Sequence, residues 1–326
     1  MEEPKHIDLH LPRGWNDCTT EELEMIATAM LVCQARTGRY HPFDTAQVKV
    51  MAVMMINGLT VVGSQEDDGQ EGNYLLSAPH LNDGEPFGIE GGQMVALTEM
   101  LDWIYDDHAT QPLFVFPYQT LEVEGQRSKV EGRRLEVSGP PPLLDGYTWR
   151  EYRLLQDWMS LYMRQQNNLI KVATLRRHDK EAIQRYQESI SQAQREFLAV
   201  LFKPAGKPTG TGAAEHTSAI SPLTSDIFEG FSPVRWQVIL FWWSGLMQQL
   251  AKKFPRVFKS QPVGKHRPQK QDTPWDFYNQ VTASVQKYVG GLSAQEVDNQ
   301  PYGVTLQQLE MMARESEEME KISKRK

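Results

Sequence analysis

The stretch over residues 147–203 constrains the fold most strongly, because it contains neither Gly nor Pro. Thr148 and Glu151 form a capping-box pattern at its start, in which each side chain bonds a backbone amide of the first helical turn. Apolar residues then recur at helical spacing. This pattern predicts two long helices over 146–202 that pair as an antiparallel hairpin.

Further helical patterns follow this stretch. Asn167-Asn168 is predicted to break or kink the first long helix, and residues 203–224 are rich in Gly, Pro, Ser and Thr, which predicts a mobile linker. Ser293 and Glu296 form another capping box. Helices are predicted over 233–254, 274–289 and 304–322.

The first half of the chain predicts a mixture of helices and strands. Thr19 and Glu22 repeat the capping-box pattern ahead of a helix over 19–35, and Asp44 is placed to cap a second helix that ends at Asn57. The other predictions for this half are a strand over 59–62, a polar loop or excursion over 64–73, a helix over about 92–107, and antiparallel strands over 120–124 and 134–137.

These patterns predict a fold that is mainly α with a small β component, with an α+β N-terminal half and a helical C-terminal half. The predicted segments are an acidic α+β domain over 1–145, the helical pair over 146–202, the linker over 203–224 and a helical region over 225–326 that carries a basic segment. No apolar run has the length of a membrane span, and the first residues lack a secretion signal. We therefore expect a cytoplasmic or virion-associated protein.

Charge is distributed unevenly along the chain. The formal net charge of −8 conceals a stretch over 50–126 with acids but no Lys or Arg, and a stretch over 230–271 with cations but no acids. The two stretches either face each other or stay solvated, or the basic one binds an anionic partner such as nucleic acid, an anionic membrane or an acidic protein face.

The basic stretch supplies the candidate contact residues, which are Arg235, Trp242, Trp243, Lys252, Lys253, Arg256 and Lys259. Aromatic side chains beside cations are typical of nucleic-acid binding. However, the apolar run over 238–243 is more typical of a core or a protein interface, and the acidic first half disfavours nucleic acid.

The sequence contains no recognisable catalytic or cofactor motif. It lacks a P-loop, a dinucleotide fingerprint and a nucleophile elbow, and Cys18 and Cys33 match neither a zinc spacing nor a redox motif. His6 and His10 lie near prolines, which disfavours a metal pair on a helix. We therefore predict a non-enzymatic protein with no cofactor, no metal and no catalytic residue.

One acidic group is the best candidate for acid–base chemistry. It consists of Asp102, Asp106, Asp107 and His108, and on a continuous helix Asp102 and Asp106 would share a face. Paired carboxylates bind divalent cations or separate their pKa values. The alternative is a solvated helix face that ends in a polar turn.

The opening of the chain resembles a known family. Leu11-Pro12, Trp15-Asn16 and then Thr19 ahead of a helix are similar to an L-P-x-x-W-N-x-L-T opening. That opening is found in uncharacterised proteins encoded in phage and prophage tail-gene regions of bacteria.

Two later stretches extend the resemblance. A β segment over 121–123 leads through a Gly-Pro turn at 139–140 into the LDGYTWREY stretch over 144–152, and QPYGV over 300–304 precedes the final helix. Cys18 departs from the pattern, which usually has Leu there. The resemblance implies a non-enzymatic role in tail assembly or structure, as a chaperone-like protein for a long helical partner or as its neighbour, and it carries over no catalytic residue.

Two functions follow as hypotheses. The first is a structural or assembly protein of a phage-type tail that binds other proteins through helical surfaces, with self-association left open. The second is an adaptor that places its basic segment over 252–270 on nucleic acid or an anionic membrane.

Overall fold

The computed structural model describes residues 7–37, 42–67, 70–105, 112–124, 134–175, 179–205, 223–258 and 274–324. The α-helices in this part of the chain are α1 (Thr20–Thr37), α2 (Pro42–Ile56), α3 (Gly91–Glu99), α4 (Trp149–Leu175), α5 (Lys180–Leu201), α6 (Pro233–Lys253), α7 (Pro274–Val289), α8 (Ala294–Asn299) and α9 (Tyr302–Ser323). The strands are β1 (Thr60–Asp67), β2 (Gln70–Ser77), β3 (Phe87–Ile89), β4 (Thr120–Glu124), β5 (Arg134–Ser138) and β6 (Lys203–Pro204). The predicted fold class, mainly α with a small β component, is confirmed.

The chain divides into two compact units. The first contains Met1–Pro117 and Phe231–Leu246, and the second contains Tyr118–Gly230 and Met247–Lys326. Helix α6 therefore contributes its first turns to one unit and its last turns to the other. These units have other limits than the segment over 1–145 that the sequence pattern suggested. Long-range packing determines which residues belong to a unit, and a local sequence pattern contains no information about such packing.

The first unit is built on α1, α2 and an antiparallel sheet in the order β1-β2-β3. Thr19 Oγ1 accepts the Glu22 amide at 3.2 Å and Glu22 Oε2 accepts the Thr19 amide at 2.7 Å, so the predicted capping box begins α1. The core of this unit is apolar, and its fully buried members include Ile26, Ala29, Ala52, Val53, Leu76 and Leu101.

The segment before α1 is fastened to this core by backbone-directed hydrogen bonds. The amide of His10 donates to Asn57 Oδ1 at 2.8 Å, and Asn57 Nδ2 donates to the carbonyls of His10 at 2.9 Å and Val53 at 3.0 Å. The indole N–H of Trp103 donates to the Pro12 carbonyl at 3.1 Å. Asn57 is buried, so the residue predicted to end α2 also holds the opening segment.

The predicted polar loop over 64–73 is wrong. Strands β1 and β2 instead form a hairpin whose register runs from the Thr60–Ser77 pair to the Asp67–Gln70 pair, and β1 extends beyond the predicted 59–62. The two strands are paired by backbone hydrogen bonds, so a polar sequence can also form this hairpin.

The predicted helix over 92–107 is shorter than expected, because α3 ends at Glu99. Met100 and Leu101 turn the chain, and Trp103 and Ile104 are buried in the core. This tertiary packing outweighs the helical periodicity of the segment. Helix α2 also begins at Pro42, ahead of the predicted cap at Asp44.

The second unit contains the α4–α5 hairpin. The Tyr147 hydroxyl, next to the start of α4, donates to the Leu201 carbonyl at the end of α5, so the two helices are antiparallel as predicted. Helix α4 continues through Asn167-Asn168, so the predicted break there is wrong. Packing against α5 compensates the weak helix propensity of the two asparagines.

A second antiparallel sheet, in the order β4-β5-β6, lies in the same unit. Lys203 pairs with Ser138 and Pro204 pairs with Val137, so the start of the predicted linker over 203–224 is a strand. The rest of that prediction falls mostly on residues 206–222, outside the described residues.

Helices α4 and α9 begin at one antiparallel bridge between Thr148 and Pro301. The Trp149 amide donates to the Gln300 carbonyl at 2.7 Å, and the Tyr302 amide donates to the Tyr147 carbonyl at 3.0 Å. The rings of Trp149, Tyr152 and Tyr302 stack in succession, with centroid separations of 5.7 Å and 4.8 Å. The bridge thus fixes the starting points of two helices that are far apart in sequence.

A buried charge ties α4 to α7 and α8. Arg153 Nη1 donates to Asp298 Oδ1 at 2.8 Å and to Thr282 Oγ1 at 3.1 Å. The Arg153 side chain is only 6% exposed. A guanidinium in this environment needs its carboxylate partner, since burial of an unpaired charge is costly.

We predict that Asp157→Asn stabilises the protein at neutral pH. Burial raises the pKa of Asp157 to about 6, while Arg153 acts in the lowering direction. The Asp157 carboxyl therefore binds a proton more tightly in the folded state than in the unfolded state. Its contribution to the stability of the fold is lost as pH rises from about 4 to about 6. After discounting for solvent screening, we expect the variant to gain about 1–2 kcal/mol at pH 7 and nothing at pH 3.

Urea unfolding of the two proteins across this pH range measures the difference. Unfolding free energies that differ by the same amount at every pH would contradict the prediction.

Candidate functional site

The candidate contact residues in the first unit are mostly inside it. Trp242 is 1% exposed and packs edge-on against Phe116 with ring centroids 4.8 Å apart, and Trp243 is 6% exposed. Arg235 Nε lies 3.3 Å from Glu24 Oε1 on α1. The apolar run in α6 is therefore core, and buried indoles offer no surface to a partner.

The candidate residues in the second unit are accessible. Lys252 and Lys253 at the end of α6 are exposed, and Lys253 Nζ lies 5.5 Å from the centroid of the Phe254 ring. Arg256 follows in the turn after α6. Lys259 lies outside the described residues. The basic segment thus presents part of its charge beside one aromatic ring.

Helix α9 holds Arg256 through two carboxylates. Glu310 Oε1 accepts Arg256 Nη1 at 2.9 Å, and Glu317 Oε2 accepts Arg256 Nε at 3.2 Å. Glu310 Oε2 also accepts the backbone amides of Arg256 at 2.9 Å and Val257 at 3.2 Å. The bonds from Glu310, then Glu317, raise the pKa of Arg256. Arg256 is therefore a structural link between the end of α6 and α9.

A cleft of about 820 Å³ opens beside this link, and we call it the α9 cleft. One wall is α9, with Val304, Met311 and Arg314, and the other is the end of α6 and the turn after it, with Lys253, Phe254 and Arg256. The turn over residues 142–147 closes one end. Its volume is within the range of ligand-binding sites in proteins.

The closing turn of the α9 cleft has an unusual backbone. Leu143 and Leu144 have φ values of 53° and 54°, in the left-handed region that costs a non-glycine residue about 1–2 kcal/mol. Leu144 is fully buried, and the Tyr302 hydroxyl donates to the Leu143 carbonyl. Burial, then the charge of Asp145, raises the pKa of Tyr302 to about 12, which keeps the hydroxyl protonated as a donor.

Helix α9 has two apolar faces, and the sequence analysis missed the second. The first packs into the unit through Tyr302, which is 6% exposed, and Leu306, which is 1% exposed. The second is an exposed stripe formed by Val304, Met311, Met319 and Ile322, with exposures of 43%, 49%, 68% and 54%. Helical spacing places these four side chains on one side, and this spacing was the available signal.

Of the acidic group proposed for acid–base chemistry, only Asp102 lies within the described residues. Asp102 lies in a short 3-10 turn after α3 and forms an ion pair with Lys49 of α2. Asp106, Asp107 and His108 lie outside the described residues. Within the described ranges, no three His, Cys, Asp or Glu side chains are grouped as they would be to hold a metal ion.

The other metal and thiol candidates have structural contacts. His10 Nε2 lies 2.7 Å from Glu22 Oε1, and His6 lies outside the described residues. Burial, with contributions from Glu22 and Asp17, raises the pKa of Cys18 to about 12, so its thiol stays protonated and weakly nucleophilic.

The residues that carry the family resemblance have packing roles. The Trp15 ring contacts Trp103 and Phe241 with centroid distances of 4.9 and 4.7 Å. Asn16 Nδ2 donates to the Pro112 carbonyl at 3.0 Å, and Asn16 Oδ1 accepts the Phe114 amide at 3.3 Å. The two later stretches meet in the bridge that begins α4 and α9.

Comparison of the chain with known protein families, curated proteins and solved structures gives no match. Among the helices in the described ranges, none has an apolar stretch of the length that crosses a bilayer.

Proposed function

We propose that the protein is a non-enzymatic structural or assembly protein of a phage-type tail that binds other proteins through helical surfaces. The observation that supports protein binding is the exposed stripe on α9, on a helix whose opposite face is already packed. An exposed apolar stripe on a helix is typical of surfaces that receive a partner helix. The tail assignment is supported by the resemblance of the opening and of the stretches over 144–152 and 300–304.

The α9 cleft supports this proposal in a second way. Its wall contains Met311, whose flexible thioether side chain adapts to different apolar partners. Lys253 lies in the same lining and can select among partners by charge. A chaperone-like protein needs both properties, because it must hold an apolar surface of its client and release it during assembly.

The proposal predicts specific binding to products of neighbouring genes. The tagged full chain, co-expressed with each neighbouring tail gene in turn, is expected to retain at least one of these identified proteins on affinity purification. A strictly monomeric protein that retains none of them would overturn the proposal. Retention at low but not at high salt would show that charge contributes to the contact.

The adaptor function is the second candidate, and the exposure of Lys252 and Lys253 favours it. The ion pairs of Arg256 with Glu310 and Glu317 weigh against it, because the charge of this guanidinium is already compensated within the protein. Retention on DNA or anionic vesicles that falls as salt rises, and that Lys252→Glu with Lys253→Glu abolishes, would support the adaptor.

A further inference from the structure

A second groove lies in the first unit, beside the last strand of its sheet. Strand β3 ends the order β1-β2-β3, so one side of it pairs with β2 and its other side has no strand partner among the described residues. The groove has a volume of about 620 Å³, and we call it the β3 groove. No residue of α9 is among the described residues that line it, and the groove is independent of the proposed function.

The β3 groove follows the edge of the strand and not one face of the sheet. Phe87, Gly88 and Ile89 all line it, although consecutive strand residues point to opposite faces. An unpaired strand edge carries backbone N–H and C=O groups that can pair with another chain. Gly88 has no side chain to block this edge, and an added Cβ atom would meet nothing within 4 Å. Another backbone can therefore approach β3 closely at this position.

The other walls of the β3 groove are mainly apolar. Helix α3 and its C-cap residue supply four lining residues at i, i+3, i+4 and i+7 spacing, which places them on one helix face: Gln93, Ala96, Leu97 and Met100. The opening segment supplies Ile7 and Leu9. The Met100 side chain is 55% exposed. A strand edge beside an apolar helix face is an arrangement in which domains bind an extended peptide as an additional strand.

The charge around the β3 groove is negative. Asp8 is the one charged residue among the described residues of the lining, Glu90 is the N-cap of α3 and Glu99 is its last residue. No described cation forms an ion pair with any of these three carboxylates. The sequence has no Lys or Arg over 51–126, and Arg13 of the opening segment does not line the groove. The groove therefore favours a partner with cationic side chains.

We propose that the β3 groove binds a basic, extended segment of a partner protein, which joins the sheet as a fourth strand beside β3. The backbone of that segment pairs with the edge of β3, and its alternate apolar side chains pack against Leu97 and Met100. Its cationic side chains lie near Asp8 and Glu99. Backbone pairing and apolar burial supply the affinity, while the charges select the partner.

Two synthetic peptides of about eight residues test the choice of partner. One alternates Val with Lys, and the other replaces each Lys by Glu. Fluorescence polarisation with the full chain is expected to show binding of the Lys peptide at least about tenfold tighter than that of the Glu peptide, with the difference shrinking as salt rises. Asp8→Asn combined with Glu99→Gln is expected to reduce this preference.

Backbone methylation of the Lys peptide tests strand addition on the unaltered protein. The N–H groups of alternate strand residues point to opposite edges, so only one set of them can pair with β3. The peptide is made with N-methyl groups on the Val amides or on the Lys amides. One of these two forms is expected to bind more than about tenfold more weakly than the parent peptide, because it lacks the donors that pair with β3.

Substitutions beside the groove give the matched comparison. Met100→Lys is expected to weaken binding of the Lys peptide more than about tenfold, because it places a cation on the apolar wall that faces a basic partner. Val95→Lys is the control, since it adds the same charge to α3 at a residue that is 57% exposed and does not line the groove. Circular dichroism and thermal unfolding verify that each variant is folded.

Several results would overturn the inference. Equal affinities of the Lys and Glu peptides would contradict the preference for a basic partner, and equal losses from Met100→Lys and Val95→Lys would place the contact elsewhere. Undiminished binding of both methylated peptides would rule out strand addition. A dimer that forms with rising concentration and is abolished by Met100→Lys would assign the edge of β3 to a second copy of the chain.

Hydrogen exchange locates the bound peptide. Saturation with the Lys peptide is expected to slow exchange of backbone amides within 87–89, because an added strand pairs with that edge, and to leave the amides of α9 unchanged. Unchanged exchange within 87–89 in the saturated protein would contradict the assignment to the β3 groove.

Discussion

Gly245→Ala is expected to destabilise the first unit by about 3 kcal/mol or more, although alanine is the better helix former. A Cβ atom at position 245 would lie 2.0 Å from the Leu113 carbonyl oxygen and 2.9 Å from its carbonyl carbon. The obstacle is backbone, so no side-chain rotation relieves it. Either α6 or the segment around residue 113 must move, which disturbs the packing of the buried Trp242.

Gly92→Ala is the matched control for this prediction. Gly92 lies in α3 of the same unit, and a Cβ atom there would meet nothing within 4 Å. The same substitution is therefore expected to stabilise the protein by about 0.5–1 kcal/mol. Chemical unfolding of both variants measures the two effects, and a Gly245→Ala protein as stable as the parent would show that the close approach is not required.

Asp298→Ala is expected to cost about 3–5 kcal/mol in the second unit. The change removes the carboxylate 2.8 Å from Arg153 Nη1 and leaves a guanidinium whose side chain is only 6% exposed. Most of this cost comes from the buried charge that loses its partner, and not from the intrinsic strength of the ion pair. The midpoint of urea unfolding, followed by tryptophan fluorescence, measures it.

Two further variants identify the cause of this loss. Arg153→Met combined with Asp298→Ala removes both charges, so it should be more stable than Asp298→Ala alone. Glu318→Ala breaks the Arg314–Glu318 pair, whose side chains are 67% and 58% exposed, and should change stability by less than about 0.5 kcal/mol. A double variant no more stable than Asp298→Ala would contradict the role assigned to the buried Arg153 guanidinium.

Local signals predicted much of the secondary structure. The capping boxes at Thr19, Thr148 and Ser293 begin helices, with Ser293 Oγ accepting the Glu296 amide at 3.2 Å. These signals succeed because each box involves residues of a single turn. The predicted helix over 274–289 has the limits of α7, and those over 233–254 and 304–322 correspond to α6 and α9.

Long-range packing decided the cases in which these signals failed. Helix α3 ends early because Trp103 is drawn into the core near Pro12, and helix α4 passes Asn168 because α5 covers its inner face. The hairpin of β1 and β2 forms from a polar stretch because its backbone is paired. In each case the deciding contact joins residues that are too far apart in the sequence for a local pattern to include both.

In the candidate site, too, local sequence patterns predicted some features and long-range contacts decided others. The charge pattern identified Lys252, Lys253 and Arg256 as a group, but it did not reveal that Glu310 of α9 holds Arg256. It also selected Trp242, which is core, since the apolar run has the same composition in a core and in an interface. Met311 was not predicted as a site residue, and it lines the cleft because of the position of α9.

The sequence by itself determined where helices start, which residue types they contain and how charge is distributed, because these properties depend on neighbours within a few residues. The tertiary structure alone decided that α4 and α9 start at one bridge, and it decided which apolar face of α9 is buried. Those features require residues more than a hundred positions apart to meet, and the free energy of that meeting comes from burial across the whole unit.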